Sequence, residues 1–171
     1  GNGQTTWDKY YGNRKAINLG FGGDRTEHVL WRLDHGEFDG YKPRVAVIMI
    51  GTNNTGHDMH PPEAIAAGIK KIIATIQKKS PDTKVLLLGI FPRGATTDDP
   101  KRVNNDNTNA LISTMADEKR IFFLNINNTF LTEDGVLTKE IMPDLLHPKE
   151  KGYAIWAEAI EPTLARLYDM K

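Results

Sequence analysis

The 171-residue chain has no cysteine, which excludes a disulfide framework, a thiol nucleophile and a thiolate metal site. Serine is nearly absent too, since only Ser80 and Ser113 occur. Charge of one sign is also missing. Lys plus Arg and Asp plus Glu number 22 each, so no global field draws the chain to nucleic acid or to an anionic membrane. No apolar run approaches the about 20 residues that span a bilayer, and no basic segment followed by an apolar one opens the chain. The reading is a soluble protein with no nucleic-acid partner and no membrane span. Its compartment is left open between the cytoplasm and secretion with a signal removed.

What is present suits one folded unit over residues 1–171. Apolar residues make up 39% and charged residues 26%, a balance that supports a packed core rather than disorder. Three near-continuous apolar segments, residues 45–50, 85–90 and 121–124, predict strands of a parallel sheet covered on both faces. Ala16-Ile17-Asn18-Leu19 predicts a weaker fourth. Between them lie helical patterns. Pro61-Pro62-Glu63 opens a run with Ile65, Ile69, Ile72, Ile73 and Ile76 on one stripe, and residues 24–33, 103–119 and 150–168 predict three more helices, the last with a kink or break at Pro162. Strand and helix alternate, so the expected class is α/β with helices on both faces of the sheet.

Ligands of open parallel sheets bind beyond the carboxyl ends of the strands, and three segments fall there. In Gly20-Phe21-Gly22-Gly23-Asp24 a tight bend leaves backbone amides uncovered before a helix, a cradle for negative charge. By itself the pair is more often a turn, with Asp24 as a helix cap. In Gly51-Thr52-Asn53-Asn54 a side-chain amide at a rigid strand end can donate to a developing oxyanion, or the segment is a plain turn. In Asp144-Leu145-Leu146-His147-Pro148 a carboxylate three residues ahead of an imidazole can fix its tautomer and free the other nitrogen as a general base. The alternative is a surface Asp and a capping His. His57-Asp58-Met59-His60 fits no metal spacing and precedes two prolines, so it reads as a solvated loop. Neither a metal nor a cofactor is expected, and the dinucleotide and P-loop signatures are missing.

Taken together and in this order, the three segments resemble blocks of the SGNH/GDSL hydrolases. Gly-Gly-Asp at 22–24 followed by His-Val-Leu-Trp-Arg-Leu at 28–33 is most similar to the platelet-activating-factor acetylhydrolase-like branch. The resemblance implies a flavodoxin-like three-layer α/β/α sandwich and a serine ester hydrolase that removes short acyl groups, often acetyl, from a lipid or carbohydrate. It implies that the Gly23 backbone N–H and the Asn53 side chain form the oxyanion hole, that His147 is the general base and acid, and that Asp144 orients it. Phe91-Pro92-Arg93-Gly94 is expected to line the site, with Arg93 either touching substrate or standing as a solvated loop charge.

One block of the family has no counterpart. A strand ending in Gly-Asp-Ser carries its nucleophile, and this sequence contains no Gly-Asp-Ser. Ser80, in a Lys-Ser-Pro turn, and Ser113, inside a helical pattern, both lack a preceding strand. In the family that block lies upstream of a helix similar to Thr6-Trp7-Asp8-Lys9-Tyr10-Tyr11. The expectation is therefore a chain that is N-terminally incomplete, lacking its first and central strand, and completed by a missing N-terminal segment or a homo-oligomer. A non-catalytic, ligand-binding relative that has lost its nucleophile is the alternative. A flavin or nucleotide carrier on the same architecture ranks behind both.

Overall fold

A computed structural model describes residues 3–170. Three parallel strands, β1 (Val45–Ile48), β2 (Lys84–Leu88) and β3 (Ile121–Leu124), form one sheet in the order β1-β2-β3. Val47 lies opposite Leu86 and Leu86 opposite Phe122 in the ladder. Six α-helices surround it: α1 (Gln4–Tyr11), α2 (Thr26–Asp34), α3 (Thr52–Asp58), α4 (Pro62–Lys79), α5 (Pro100–Ser113) and α6 (Glu150–Asp169). Helices α4 and α5 carry the chain from β1 to β2 and from β2 to β3, as parallel pairing requires.

The pleat sorts the two cores. On one face Ile48, Val85 and Leu87 pack with Leu33 of α2, the isoleucines of α4 and Ile112 of α5. On the other, Leu86, Leu88 and Phe122 pack with Ile160, Leu164 and Leu167 of α6, and Tyr11 of α1 joins that cluster. The expected three-layer α/β/α architecture is thus present, with strands apolar on both sides because both sides are covered. Ile65, Ile69, Ile72, Ile73 and Ile76 are all buried, so the stripe read from the sequence is the buried face of α4. Ile69→Ala removes most of a side chain with 0% exposure and is expected to lower the unfolding free energy by about 3 kcal/mol. Urea denaturation should show a lower midpoint at unchanged slope. A loss under about 1 kcal/mol would mean that the site collapses more readily than native packing allows.

Several boundaries differ from the sequence reading. Residues 16–19 are not a strand and pair with no ladder. A strand needs a neighbour for its N–H and C=O groups, and none lies beside this segment among the described residues. Ile17 is 55% exposed, while Leu19 leans on the α2–α4 core. The outer edge of β1 is likewise unpaired among the described residues, and Val47 on it is 42% exposed.

Helix α5 begins at Pro100 and ends at Ser113 rather than spanning 103–119. Asp99 caps it by accepting from the backbone N–H groups of Lys101 (2.9 Å) and Arg102 (3.3 Å). Further on, the Asp117 carboxylate gathers the N–H groups of Lys119, Arg120 and Ile121 at 2.7–2.9 Å into a turn. Those bonds hold its pKa near 2. Pro162 sits inside α6 without ending it.

Candidate active site

The three segments singled out from the sequence lie beyond the carboxyl ends of the strands, the first two bonded directly through Asn53 and Asp24 and the third tied to them through residues 93–94. After β1 the chain turns at Gly51 with φ +126°. A Cβ at this position would fall 2.7 Å from Ile90 Cδ1 and 2.8 Å from Ile65 Cγ2, so only glycine lets the backbone cross here. The residues that follow form the short helix α3 rather than a plain turn. Asn53 is half-buried, and its Nδ2 donates to the Asp24 carbonyl at 2.9 Å. An amide nitrogen has two hydrogens, and the second has no acceptor among the described residues.

Asn54 next to it is fully used. Its Oδ1 accepts from Thr26 N (3.1 Å), and its Nδ2 donates to Thr26 Oγ1 (3.2 Å) and Glu27 Oε2 (3.1 Å). At 2% exposure, this amide staples α3 to the start of α2.

In the glycine segment, Gly23 adopts φ +82°, and its N–H has no hydrogen-bond partner among the described residues. Asp24 does not cap α2. Its carboxylate takes a bidentate pair from Arg32, with Nε at 3.0 Å and Nη2 at 2.9 Å, and the same guanidinium lies 3.8 Å over the Phe21 ring. Fork-to-fork pairing fixes direction as well as distance. The backbone around Gly23 is therefore tied at Asp24 from two sides, by Arg32 through its side chain and by Asn53 through its carbonyl.

The third segment folds on itself. Asp144 Oδ1 accepts from Leu146 N (3.1 Å) and His147 N (2.8 Å), and Oδ2 lies 2.6 Å from His147 Nδ1. The His147 ring bond is the largest cause, and the backbone N–H groups the next, that hold the Asp144 carboxyl down to about 2. It is ionised at neutral pH and can only accept, so the ring proton belongs on Nδ1 and Nε2 carries the lone pair. Nε2 has no partner among the described residues. Leu145, between them, takes a left-handed φ of +58°, which lets the turn close. Both side chains are open to solvent, His147 at 75% and Asp144 at 56%.

Arg93 joins these parts. Its Nη1 donates to Thr52 O (2.7 Å) and Oγ1 (3.2 Å), and Gly94 N donates to Leu145 O at 3.0 Å. The residue read as a substrate contact or a solvated charge is thus partly buried against the backbone next to Asn53. That burial lowers its pKa, while Asp99 and Asp144 act in the opposite direction.

Neither serine is near this assembly. Ser80 is buried, with its Oγ 2.8 Å from Thr83 Oγ1, before β2 and so at the opposite end of the sheet. Ser113 bonds back to Ala110 O at 2.7 Å in the last turn of α5. The segment 57–60 gathers no metal-binding cluster among the described residues.

A parallel α/β layered fold thus carries, beyond the strand ends, an Asp–His pair that can exchange a proton and N–H donors without partners among the described residues that can hold an anion. The chain belongs to the GDSL-like Lipase/Acylhydrolase family, which it matches over residues 2–155. It is 36% identical over 162 residues to the Homo sapiens platelet-activating factor acetylhydrolase IB subunit alpha1, covering 94% of this chain and 68% of the relative. To the Rattus norvegicus subunit alpha2 it is 34% identical over 164 residues, covering 95% and 70%.

Among solved structures, an acetylxylan esterase from Geobacillus stearothermophilus superposes with a TM-score of 0.73 at 18% identity, covering 98% of this chain and 78% of that one. A carbohydrate esterase family 3 protein from Talaromyces cellulolyticus gives 0.67 at 20%, covering 89% and 72%. These two share the fold. No helix among the described residues is long and apolar enough to cross a membrane.

Proposed function

We propose that this chain carries the base and oxyanion machinery of a serine ester hydrolase that removes short acyl groups, acetyl foremost, from a carbohydrate or lipid. The observation that carries the reading is the 2.6 Å contact between Asp144 Oδ2 and His147 Nδ1 with Nε2 left free. His147 takes the proton of an attacking serine through Nε2 as the serine Oγ bonds to the ester carbon. The carbonyl oxygen becomes an oxyanion, which accepts from the spare Asn53 Nδ2–H and the Gly23 N–H. Protonated His147 then gives its proton to the departing alkoxide oxygen, and water repeats the sequence to release the carboxylic acid. Asp144 stays ionised and holds the tautomer.

The nucleophile is a serine other than Ser80 and Ser113. We place it beside the unpaired edge of β1, near Val47, on a polypeptide segment outside these 171 residues, since a second copy of this chain would bring only the same two serines. The relatives named as acetylhydrolase subunits and the acetylxylan esterase favour acetyl esters, of a lipid in one case and a sugar in the other. A ligand-binding relative without turnover is the second reading, favoured by the chain's having only those two serines.

The protein purified from its natural source should hydrolyse p-nitrophenyl acetate, with a rate that rises with pH as a single group loses its proton. A serine-directed organophosphonate should stop it. Absence of hydrolysis from pH 6 to 9 would decide for the non-catalytic relative.

A further inference from the structure

Arg102 stands in the first turn of α5 with 2% of its surface exposed. A buried guanidinium is unfavourable unless its N–H groups are met, and here main-chain carbonyls meet them. Nη2 donates to Gly94 O (2.6 Å) and Ala95 O (3.3 Å), Nε to Arg93 O (3.3 Å), and Nη1 to Gly135 O (2.6 Å). Three of the four acceptors belong to one loop, residues 93–95. That loop leads in two directions. Gly94 N holds Leu145 O at 3.0 Å, inside the Asp144–His147 turn, and Arg93 Nη1 holds Thr52 O at 2.7 Å, one residue before Asn53. At Gly94, where φ is +75°, a Cβ would fall 2.3 Å from the Asp99 carboxyl carbon, so the loop lies tight against the start of α5.

We propose that Arg102 is a positioning residue that touches no substrate. By clamping residues 93–95 it sets where the His147 turn stands relative to Asn53. The kinetic consequence rests on the esterase reading, whereas the structural one does not. Asp144 closes the turn with its own three hydrogen bonds, so a loosened clamp displaces base and orienter together. The signature is a lower kcat at unchanged KM and unchanged pH midpoint.

The test compares Arg102→Met and Arg102→Lys with Thr83→Val. Lysine keeps the charge but lacks the planar fork that reaches several carbonyls. Thr83→Val removes a part-buried bond to Pro43 O (2.7 Å) at the other end of the sheet. Crystal structures of the Arg102 variants should show the 144–147 turn displaced by about 1 Å from Asn53 with the strands unmoved. Per organophosphonate-titrated site, kcat on p-nitrophenyl acetate should fall about 10²-fold, the scale of a 1 Å misplacement. Thr83→Val should do neither.

Where Arg102→Met does not fold, Arg102→Lys decides. An unmoved turn in Arg102→Lys overturns the proposal, as does an equal loss of kcat in Thr83→Val. If the wild-type protein hydrolyses nothing, the esterase reading fails alone, and the displacement of the turn still tests the clamp.

Discussion

His147→Ala is expected to lower kcat on an acyl ester by about 10⁴–10⁶-fold, the range over which removing the base of a serine hydrolase acts. The loss should sit in kcat, because the imidazole works by moving a proton rather than by holding substrate. Stability should barely change. With 75% of its side chain in solvent, His147 buries little, and exposed substitutions stay within about 0.5 kcal/mol. Steady-state kinetics and a thermal scan on the same preparation check both halves. Activity within tenfold of wild type would remove His147 from the chemistry.

Asp144→Asn makes the second large prediction, through the proton rather than the shape. The carboxylate only accepts, which is why the ring proton sits on Nδ1. An amide in its place can donate to Nδ1, so the proton moves to Nε2 and the base is lost, at about 10⁴-fold in kcat. The expected companion is a change in acid behaviour. Asp144 is held near 2, below the about 3.9 of an unfolded chain. Its folded-state contribution is therefore complete above that unfolded value and disappears as pH falls through about 2. Because its side chain is 56% exposed, solvent screening limits that contribution to less than about 1 kcal/mol. Asp144→Asn should remove this small share of the acid sensitivity while abolishing turnover at neutral pH. Retention of a tenth of wild-type kcat would mean that the carboxylate does not set the tautomer.

Features carried by local chemistry were legible in the sequence. The strands follow from runs such as Val85-Leu86-Leu87-Leu88, all buried, and α4 from the spacing of its isoleucines. The Asp144–His147 contact followed from a spacing of three residues, since the turn closes on its own bonds. Features set by distant partners were not. Residues 16–19 have strand-like composition but no ladder neighbour among the described residues, and pairing is not written in a single segment.

Arg102 illustrates the same limit. In a polar stretch of helix it has the pattern of a solvated charge, and only the fold brings the carbonyls of Arg93, Gly94, Ala95 and Gly135 around it. Likewise Asp24 pairs with Arg32 eight residues on, where a helix cap was the local expectation. The start of α5 did carry a signal, Asp99 before Pro100, which is the pattern of an N-cap followed by proline at the first helical position.

The most direct measurement is peptide mapping of the native-source protein after inactivation by a serine-directed organophosphonate. The account predicts one adduct per active site, on a serine that is neither Ser80 nor Ser113, forming in proportion to lost hydrolysis and only slowly in His147→Ala. An adduct on Ser80 or Ser113, or hydrolysis that persists with no adduct at all, would contradict it.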